Sequence, residues 1–289
     1  PDRGFGRETG IRESTPRNLP SHLLDWHNST LSPHRRYNGP ALADIRRNHE
    51  HHDPTPGHGG VGDRLHRRLL ARLWRLGLQL KFVLFQRHRH DCEVVESIGG
   101  LSILVRPGVF NPTLFRVTPV FLEWLRGGLV PTGSRVLVVG TGTGVLAIAA
   151  ASWAGRVVAV DSNPAAVECA RLNIAENSVD ESVEVRMGDL FEPVAGDRFD
   201  LVLCNPPYFA GRPATRLETA FRAGDFARRF AAGLGGHLTE DGRALVILSS
   251  IGDEAGFLSA FAEAGLTTVT LQRRDLISEV VSLYELSAD

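Results

Sequence analysis

Residues 199–208 read Phe-Asp-Leu-Val-Leu-Cys-Asn-Pro-Pro-Tyr, and the last four carry side chains and backbone groups that could do chemistry. Two consecutive prolines lock φ and remove two backbone donors, so the chain leaves an apolar strand as a stiff extended loop. That rigidity would fix the Asn205 amide and the Tyr208 ring in space. An amide oxygen and the Pro206 carbonyl can both accept from one planar NH2 group, and an aromatic ring can stack on its plane. The pattern suits holding an amide or an amino-purine nitrogen while a group is transferred to it. Asn-Pro and Pro-Pro are also common turn dipeptides, so the tetrapeptide by itself leaves a purely structural role open.

A second pattern lies upstream, where residues 135–144 read Arg-Val-Leu-Val-Val-Gly-Thr-Gly-Thr-Gly. An apolar run ends in Gly140-Thr141-Gly142-Thr143-Gly144, and an Ala-rich helical pattern follows over residues 145–154. Strand, glycine turn, helix is the geometry that lets a ligand approach backbone N–H groups at a helix start. The spacing is G-x-G-x-G and not the dinucleotide G-x-G-x-x-G. The next apolar run, Val157-Val158-Ala159-Val160, ends in Asp161, about 20 residues after the glycines, where a ribose-binding carboxylate is expected. A carboxylate can accept from both ribose hydroxyls. Asp161 could instead cap the helix expected from Pro164, as could Ser162 or Asn163.

A third strand pattern, residues 183–187, leads into Gly188-Asp189-Leu190. Asp189 could accept from an adenine amino group, and a turn aspartate is the plainer alternative. Four strand ends thus carry a glycine turn, two acidic residues and the Asn-Pro-Pro-Tyr loop. In an open parallel sheet such ends line one crevice.

On these residues the stretch from about Val105 onward resembles a class I S-adenosylmethionine-dependent methyltransferase. Within that superfamily it is most similar to the HemK-like group of N5-glutamine methyltransferases. The matching residues are Gly140 to Gly144, Asp161, Gly188-Asp189-Leu190 and Phe199-Asp200 through Tyr208, with Val109-Phe110-Asn111-Pro112 and Thr118 ahead of the first strand. The resemblance implies a seven-stranded, mostly parallel, Rossmann-like α/β sheet whose last strand is antiparallel. It implies that Gly140, Thr141, Gly142, Gly144, Asp161, Ser162, Asp189, Leu190 and Asn205 hold S-adenosylmethionine. It also implies that Asn205, Pro206, Pro207 and Tyr208 form the catalytic loop. One position departs from the pattern: the acidic residue usual two places before the first glycine is Val138 here, which removes a polar contact to the methionine amino group.

The reaction implied is direct transfer of an activated methyl group. Alignment of nucleophile, methyl and sulfur can supply roughly 7–11 kcal/mol. Bonds accepted from the acceptor NH2 by Asn205 Oδ1 and the Pro206 carbonyl would push electron density back onto nitrogen as charge develops. No separate general base is required, and no metal-ligand spacing stands out in this part of the chain. The acceptor would be a protein glutamine, an adenine in RNA or DNA, or a small metabolite, with the resemblance favouring glutamine. A noncatalytic module that keeps the fold and recruits RNA or protein is the main alternative. A nicotinamide-dependent dehydrogenase is disfavoured by the glycine spacing.

The 289 residues leave room for one large domain and an extension. A formal net charge of −1 gives no global basic field for nonspecific nucleic-acid binding. The three cysteines, Cys92, Cys169 and Cys204, are odd in number and dispersed, which points to a reducing cytoplasm rather than a disulfide framework. No run of 18 apolar residues suggests a membrane span, and no secretion signal is evident at the start of the sequence.

The organisation expected is a disordered tail over residues 1–62, a basic amphipathic helix plus β-hairpin over 63–108, and the methyltransferase domain over 109–289. The tail holds seven of the eleven histidines, including His49-x-His51-His52, a weak metal-binding pattern. Leu65, Leu69, Leu73, Leu76 and Leu80 recur at helical spacing among eight basic residues that lie between Arg64 and Arg89. That helix would cap the domain, meet an acidic partner or RNA, or lie on a membrane surface. The segment is too short to match the helical substrate domain of HemK-like enzymes, so release-factor recognition does not carry over. Residues 92–105 alternate around Gly99-Gly100 as a hairpin, expected as a lid beside the cofactor. Residues 209–220 are expected to form a mobile loop over the substrate. A helix is expected over 221–238, a strand over 244–248, a helix over 254–264, and a terminal hairpin of 267–271 with 280–286.

Overall fold

The computed structural model describes residues 92–207, 225–277 and 279–288. The tail, the basic leucine-rich segment, Tyr208 and the loop that follows it lie outside the described residues.

A two-stranded antiparallel hairpin, β1 (Val94–Ile98) and β2 (Leu101–Val105), comes first. Helix α1 (Val117–Trp124) and a wider turn over Leu125–Leu129 lead to β3 (Arg135–Val139). Then come α2 (Val145–Ala150), β4 (Arg156–Asp161), α3 (Pro164–Glu176), β5 (Val183–Met187) and β6 (Phe199–Cys204). The last part runs α4 (Phe226–Leu234), β7 (Leu238–Ser249), α5 (Glu254–Glu263), β8 (Leu266–Asp275) and β9 (Val280–Ala288).

The main sheet has seven strands in the order β5-β4-β3-β6-β7-β9-β8. β3 to β7 are mutually parallel, while β9 runs antiparallel to both β7 and β8. This is the sheet expected from the sequence, its last strand reversed. The final hairpin is longer than expected, and β9 inserts between β7 and β8.

The parallel strands read as near-continuous apolar runs because both faces are covered. Val136, Val138, Val157, Ala159, Leu201, Leu203, Leu245 and Ile247 face the layer built by α1, α2 and α3. Leu137, Val139, Val158, Val160, Val202, Cys204, Val246 and Leu248 face α4 and α5 with Phe230, Phe257 and Phe261. The strand period of two splits one run between two cores.

The β1–β2 hairpin belongs to the first of these cores. Ile98, Ile103 and Val105 are buried with Phe121, Leu122 and Ile174. A hairpin fixed in this way is a wall and not a lid, which corrects the expectation drawn from its alternating pattern. Helix α2 is also shorter than its Ala-rich pattern suggested, closing at Ala150 before a turn.

Candidate active site

All five parallel strands deliver their C-terminal ends to one edge of the sheet. Val139 pairs with Val160 on one side and with Cys204 on the other. Gly140 therefore leaves the sheet between Asp161 and Asn205, about one strand spacing, ~4.8 Å, from each backbone. Asp161 in turn pairs with Met187, which brings Gly188-Asp189-Leu190 to the same edge. The four strand-end signals read from the sequence are thus neighbours.

The glycine turn closes through Thr141 N–H to the Val160 carbonyl (3.0 Å) and Gly144 N–H to the Thr141 carbonyl (2.9 Å). Gly144 sits at φ 85°, and a Cβ there would lie 3.2 Å from the Ala170 backbone of α3. Only glycine allows both that conformation and that approach of α2 to α3. The Thr141 hydroxyl is buried and has no hydrogen-bond partner among the described residues. A buried polar atom left unpaired is costly, and a ligand that supplies the missing bond relieves that cost.

The Asp161 carboxylate folds over this turn. Gly142 N–H donates to Oδ2 at 2.8 Å and Asn163 N–H donates to Oδ1 at 2.9 Å. Burial pushes the Asp161 carboxyl above its ordinary value, against the pull of the backbone N–H groups of Asn163, Gly142 and Ser162. Each carboxylate oxygen carries two acceptor sites, so capacity for a vicinal diol remains. The cap of α3 is Asn163, whose Oδ1 accepts from Ala165 N–H at 3.1 Å, with Pro164 in the first turn. Asp161 is therefore free of capping duty, and Ser162 is exposed beside it.

Asp189 lies in the turn after β5, where its carboxylate pairs with Arg229 of α4. The sequence suggested an acceptor for an adenine amino group; the structure adds a guanidinium that holds the same carboxylate. Both side chains stay roughly half exposed. Leu190 next to it is buried at φ 51°, an unusual conformation for a branched residue. Strain of this kind concentrates at ligand sites, where the surrounding structure over-determines it.

Asn205 closes the other side. Its Nδ2 donates to Thr118 Oγ1 at 3.1 Å, while its Oδ1 is buried with no partner among the described residues. The amide is thus pinned by its donor end, and its buried acceptor end is left unpaired among the described residues. Pro206 is buried and Pro207 half-buried behind it. Val138, at the position where an acid is usual, is fully buried in the core under the sheet.

Three asparagines position these groups: the sequence offers Asn163 as a possible cap and Asn111 within the matching segment, whereas Asn173 carries little signal there. Asn173 of α3 is 1 % exposed. Its Oδ1 accepts from Leu104 N–H (2.8 Å), and its Nδ2 donates to the carbonyls of Leu104 (2.8 Å) and Thr143 (2.9 Å). It therefore ties the hairpin to the glycine turn. Asn163 Nδ2 donates to the Gly108 carbonyl at 3.0 Å, and Asn111 Nδ2 donates to Glu96 Oε1 at 2.8 Å. The signal that could have found Asn173 is an asparagine beside Ile174 in an otherwise apolar helical stripe, since a buried polar residue is the informative exception. Among the described residues no group of His, Cys, Asp and Glu has the arrangement to hold a metal ion.

A family model described as the methyltransferase small domain matches residues 100–262. The chain belongs to the methyltransferase small domain family. The match bears out the resemblance carried by the glycine turn, Asp161 and the Asn-Pro-Pro motif. This methyltransferase small domain is 32% identical over 171 residues to a protein of Methanocaldococcus jannaschii provisionally named a protein N5-glutamine methyltransferase, covering 56% of this chain and 82% of the relative. It is 40% identical over 122 residues to the ribosomal protein uL3 glutamine methyltransferase of Bradyrhizobium diazoefficiens, covering 37% of this chain and 38% of the relative. The chain thus spans less than half the length of the latter. Among solved structures, the 16S rRNA N2-G1207 methyltransferase of T. thermophilus, in complex with AdoMet and guanosine, superposes with a TM-score of 0.54 at 20% identity. That likeness covers 68% of this chain and 50% of the other, and it shows the fold.

Proposed function

We propose that the chain is an S-adenosylmethionine-dependent N-methyltransferase acting on a planar amide nitrogen, with a protein glutamine as acceptor. The carrying observation is Asn205 Oδ1, a buried and unpartnered acceptor at the sheet edge, beside the glycine turn. The relatives support the amide over an adenine or a small metabolite: one is named for glutamine methylation of uL3 and another provisionally for protein N5-glutamine methylation. Unpaired Cys92, Cys169 and Cys204 suit a reducing, cytoplasmic compartment. Among the described residues no helix is long and apolar enough to cross a membrane.

The described residues fit the cofactor. Asp161 would take the ribose hydroxyls, the Gly140–Gly144 turn would lie under the methionine portion, and Asp189 and Leu190 would border the adenine. The unpaired Thr141 hydroxyl offers a polar contact where Val138 offers none. When bound, S-adenosylmethionine supplies a methyl group already activated by its sulfonium.

The protein then has to orient and polarise the acceptor. Asn205 Oδ1 accepts from the acceptor NH2 and holds its lone pair toward the incoming carbon. With the cofactor bound, the acceptor nitrogen held by Asn205 Oδ1 would gain the methyl group and the N–C bond, leave the bonding electron pair of the S–C bond with the sulfur, and release a proton to solvent. Positive charge on nitrogen grows along this path, so an acceptor aimed at its N–H stabilises the transition state more than the ground state. The Pro206 carbonyl would share this role, and Tyr208 would stack on the amide plane.

Radiolabelled transfer to ribosomal protein, with mass spectrometry of the modified residue, tests the reading. Methylglutamine is expected as product. Asn205→Ala is expected to lower kcat by about 10²–10³, the effect of deleting one preorganised polar group at a reacting centre. Cofactor affinity measured by calorimetry should stay largely intact, because in this reading the Asn205 amide mainly faces the acceptor and borders the cofactor only at its edge. Full turnover in Asn205→Ala, or preference for a nicotinamide cofactor, sinks the reading. A noncatalytic module remains the second reading because Val138 replaces the usual acid. No measurable S-adenosylmethionine binding by the wild-type protein would favour it.

A further inference from the structure

We propose that Thr118 is a positioning residue for the transfer, acting through Asn205 by fixing which end of its amide faces the acceptor. The inference rests on the role proposed for Asn205. A primary amide is nearly symmetric in shape, and a half-turn about its last bond exchanges oxygen for NH2. The two orientations have opposite chemistry. With Oδ1 forward, Asn205 accepts from the acceptor nitrogen. With Nδ2 forward, two NH2 groups oppose each other and the acceptor lone pair is drawn away from the methyl group.

The fold selects between these orientations through one contact. Nδ2 donates to Thr118 Oγ1 at 3.1 Å, and among the described residues no partner is present for Oδ1. A threonine hydroxyl could equally donate to a flipped carbonyl oxygen, so what disfavours the flip is the Nδ2 group, whose two protons would then sit unpaired in the buried position, a rarer state than an under-satisfied carbonyl oxygen. Thr118 is 2 % exposed in the first turn of α1, so water has little access to replace its hydroxyl.

Thr118 is itself held by contacts that reach the cofactor side. The segment that leads into α1 is tied to the cap of α3 through Asn163 Nδ2 and the Gly108 carbonyl, and to the hairpin through Asn111 and Glu96. Val117, Val120, Phe121 and Leu122 anchor α1 in the core. The chain before the first sheet strand therefore sets the acceptor side of the site from a frame shared with Asp161 and its neighbour Asn163.

Three variants test this: Thr118→Val, Thr118→Ser and Asn205→Ala, each alone, with Thr118→Val also combined with Asn205→Ala. The first readout needs no acceptor. The Asn205 side-chain NH2 resonances, identified by their loss in Asn205→Ala, should be protected from solvent exchange in the wild type. They should lose that protection in Thr118→Val and regain it in Thr118→Ser. With ribosomal protein as acceptor, Thr118→Val should lower kcat by about 10–100-fold, the scale of a small misplacement at a reacting centre. The KM for S-adenosylmethionine should stay unchanged, and Thr118→Ser should restore most of the rate.

In the Asn205→Ala background, Thr118→Val should cost nothing further, because the group it orients is gone. A full additional loss there would make Thr118 a general support of the fold and overturn the proposal. Wild-type kcat in Thr118→Val, while Asn205→Ala is impaired, would overturn it too. Full turnover in Asn205→Ala would instead remove the underlying role of Asn205, and unprotected NH2 resonances in the wild type would refute the contact itself.

Discussion

Asp161 is the residue on which cofactor affinity is expected to turn. Asp161→Ala removes the acceptor of the ribose hydroxyls and orphans Gly142 N–H and Asn163 N–H. Calorimetry should show S-adenosylmethionine binding weaker by about 1.5–3 kcal/mol, as for loss of a charged hydrogen-bond acceptor. Unchanged affinity would place the ribose elsewhere. The same residue sets a pH dependence. Hydroxyl donors favour the ionised carboxylate, so affinity is full above the Asp161 protonation point and falls as pH drops through it. Burial has raised that point above the ordinary aspartate value. The decline on acidification should therefore begin at a higher pH than for an exposed aspartate, and Asp161→Asn should flatten it. An affinity curve for the wild type that stays level until the ordinary aspartate range would contradict the burial effect.

At the scale of elements, the site depends on two asparagines that join parts distant in sequence. Asn173 links Leu104 to Thr143, and Asn163 links Gly108 to the start of α3. Asn173→Leu would keep the volume of the side chain but leave the Leu104 N–H and the Thr143 carbonyl without this partner, while the Leu104 carbonyl keeps its contact from Cys169 Sγ. Orphaned backbone groups of this kind cost about 1–3 kcal/mol each where buried, so urea unfolding should show a loss of about 2–4 kcal/mol with an unchanged m-value. Cofactor binding should weaken as well, because the glycine turn loses its tether. A stability change within about 0.5 kcal/mol, as at ordinary surface positions, would show that the bridge contributes nothing.

These contacts also mark where sequence reading stopped. The strand ends were legible because apolar runs, glycine spacing and the double proline are local signals with a direct backbone meaning. The roles of Asn173 and Thr118 were not, since Thr118 meets Asn205 across 87 positions and Asn173 meets Leu104 across 69. The hairpin showed its turn and its alternation, yet alternation says only that one face is covered. It does not say by what, and here the cover is α1 and α3. The Arg229 guanidinium on Asp189 was hidden for the same reason: α4 arrives from the far side of Asn-Pro-Pro-Tyr.

At the scale of the whole molecule, residues 63–90, which lie outside the described residues, bear on the domain through their sequence. Their sequence offers a stripe of Leu65, Leu69, Leu73, Leu76 and Leu80 beside eight basic residues and no acid from Arg64 to Arg89. Such a stripe is an aggregation liability unless something covers it. We propose that it covers the catalytic domain, and a pair of truncations tests the idea. Removing residues 1–62, which lack sustained periodicity, should leave the melting temperature nearly unchanged. Removing residues 1–90 should lower it by several degrees or cause aggregation, because the surface that met the leucines is then bare; each ~1 kcal/mol lost corresponds to about 2–4 °C in a domain of this size. The alternative is that the basic face recruits an acidic partner or RNA. A protein lacking residues 1–90 that stays soluble and equally stable, yet loses methyl transfer to ribosomal protein while still binding S-adenosylmethionine, would establish recruitment and refute the cap. The two outcomes separate cleanly because packing acts on stability and recruitment acts on the acceptor, and salt adds a further discriminator. Recruitment through eight basic residues should weaken steeply as ionic strength rises, whereas an apolar cap should not.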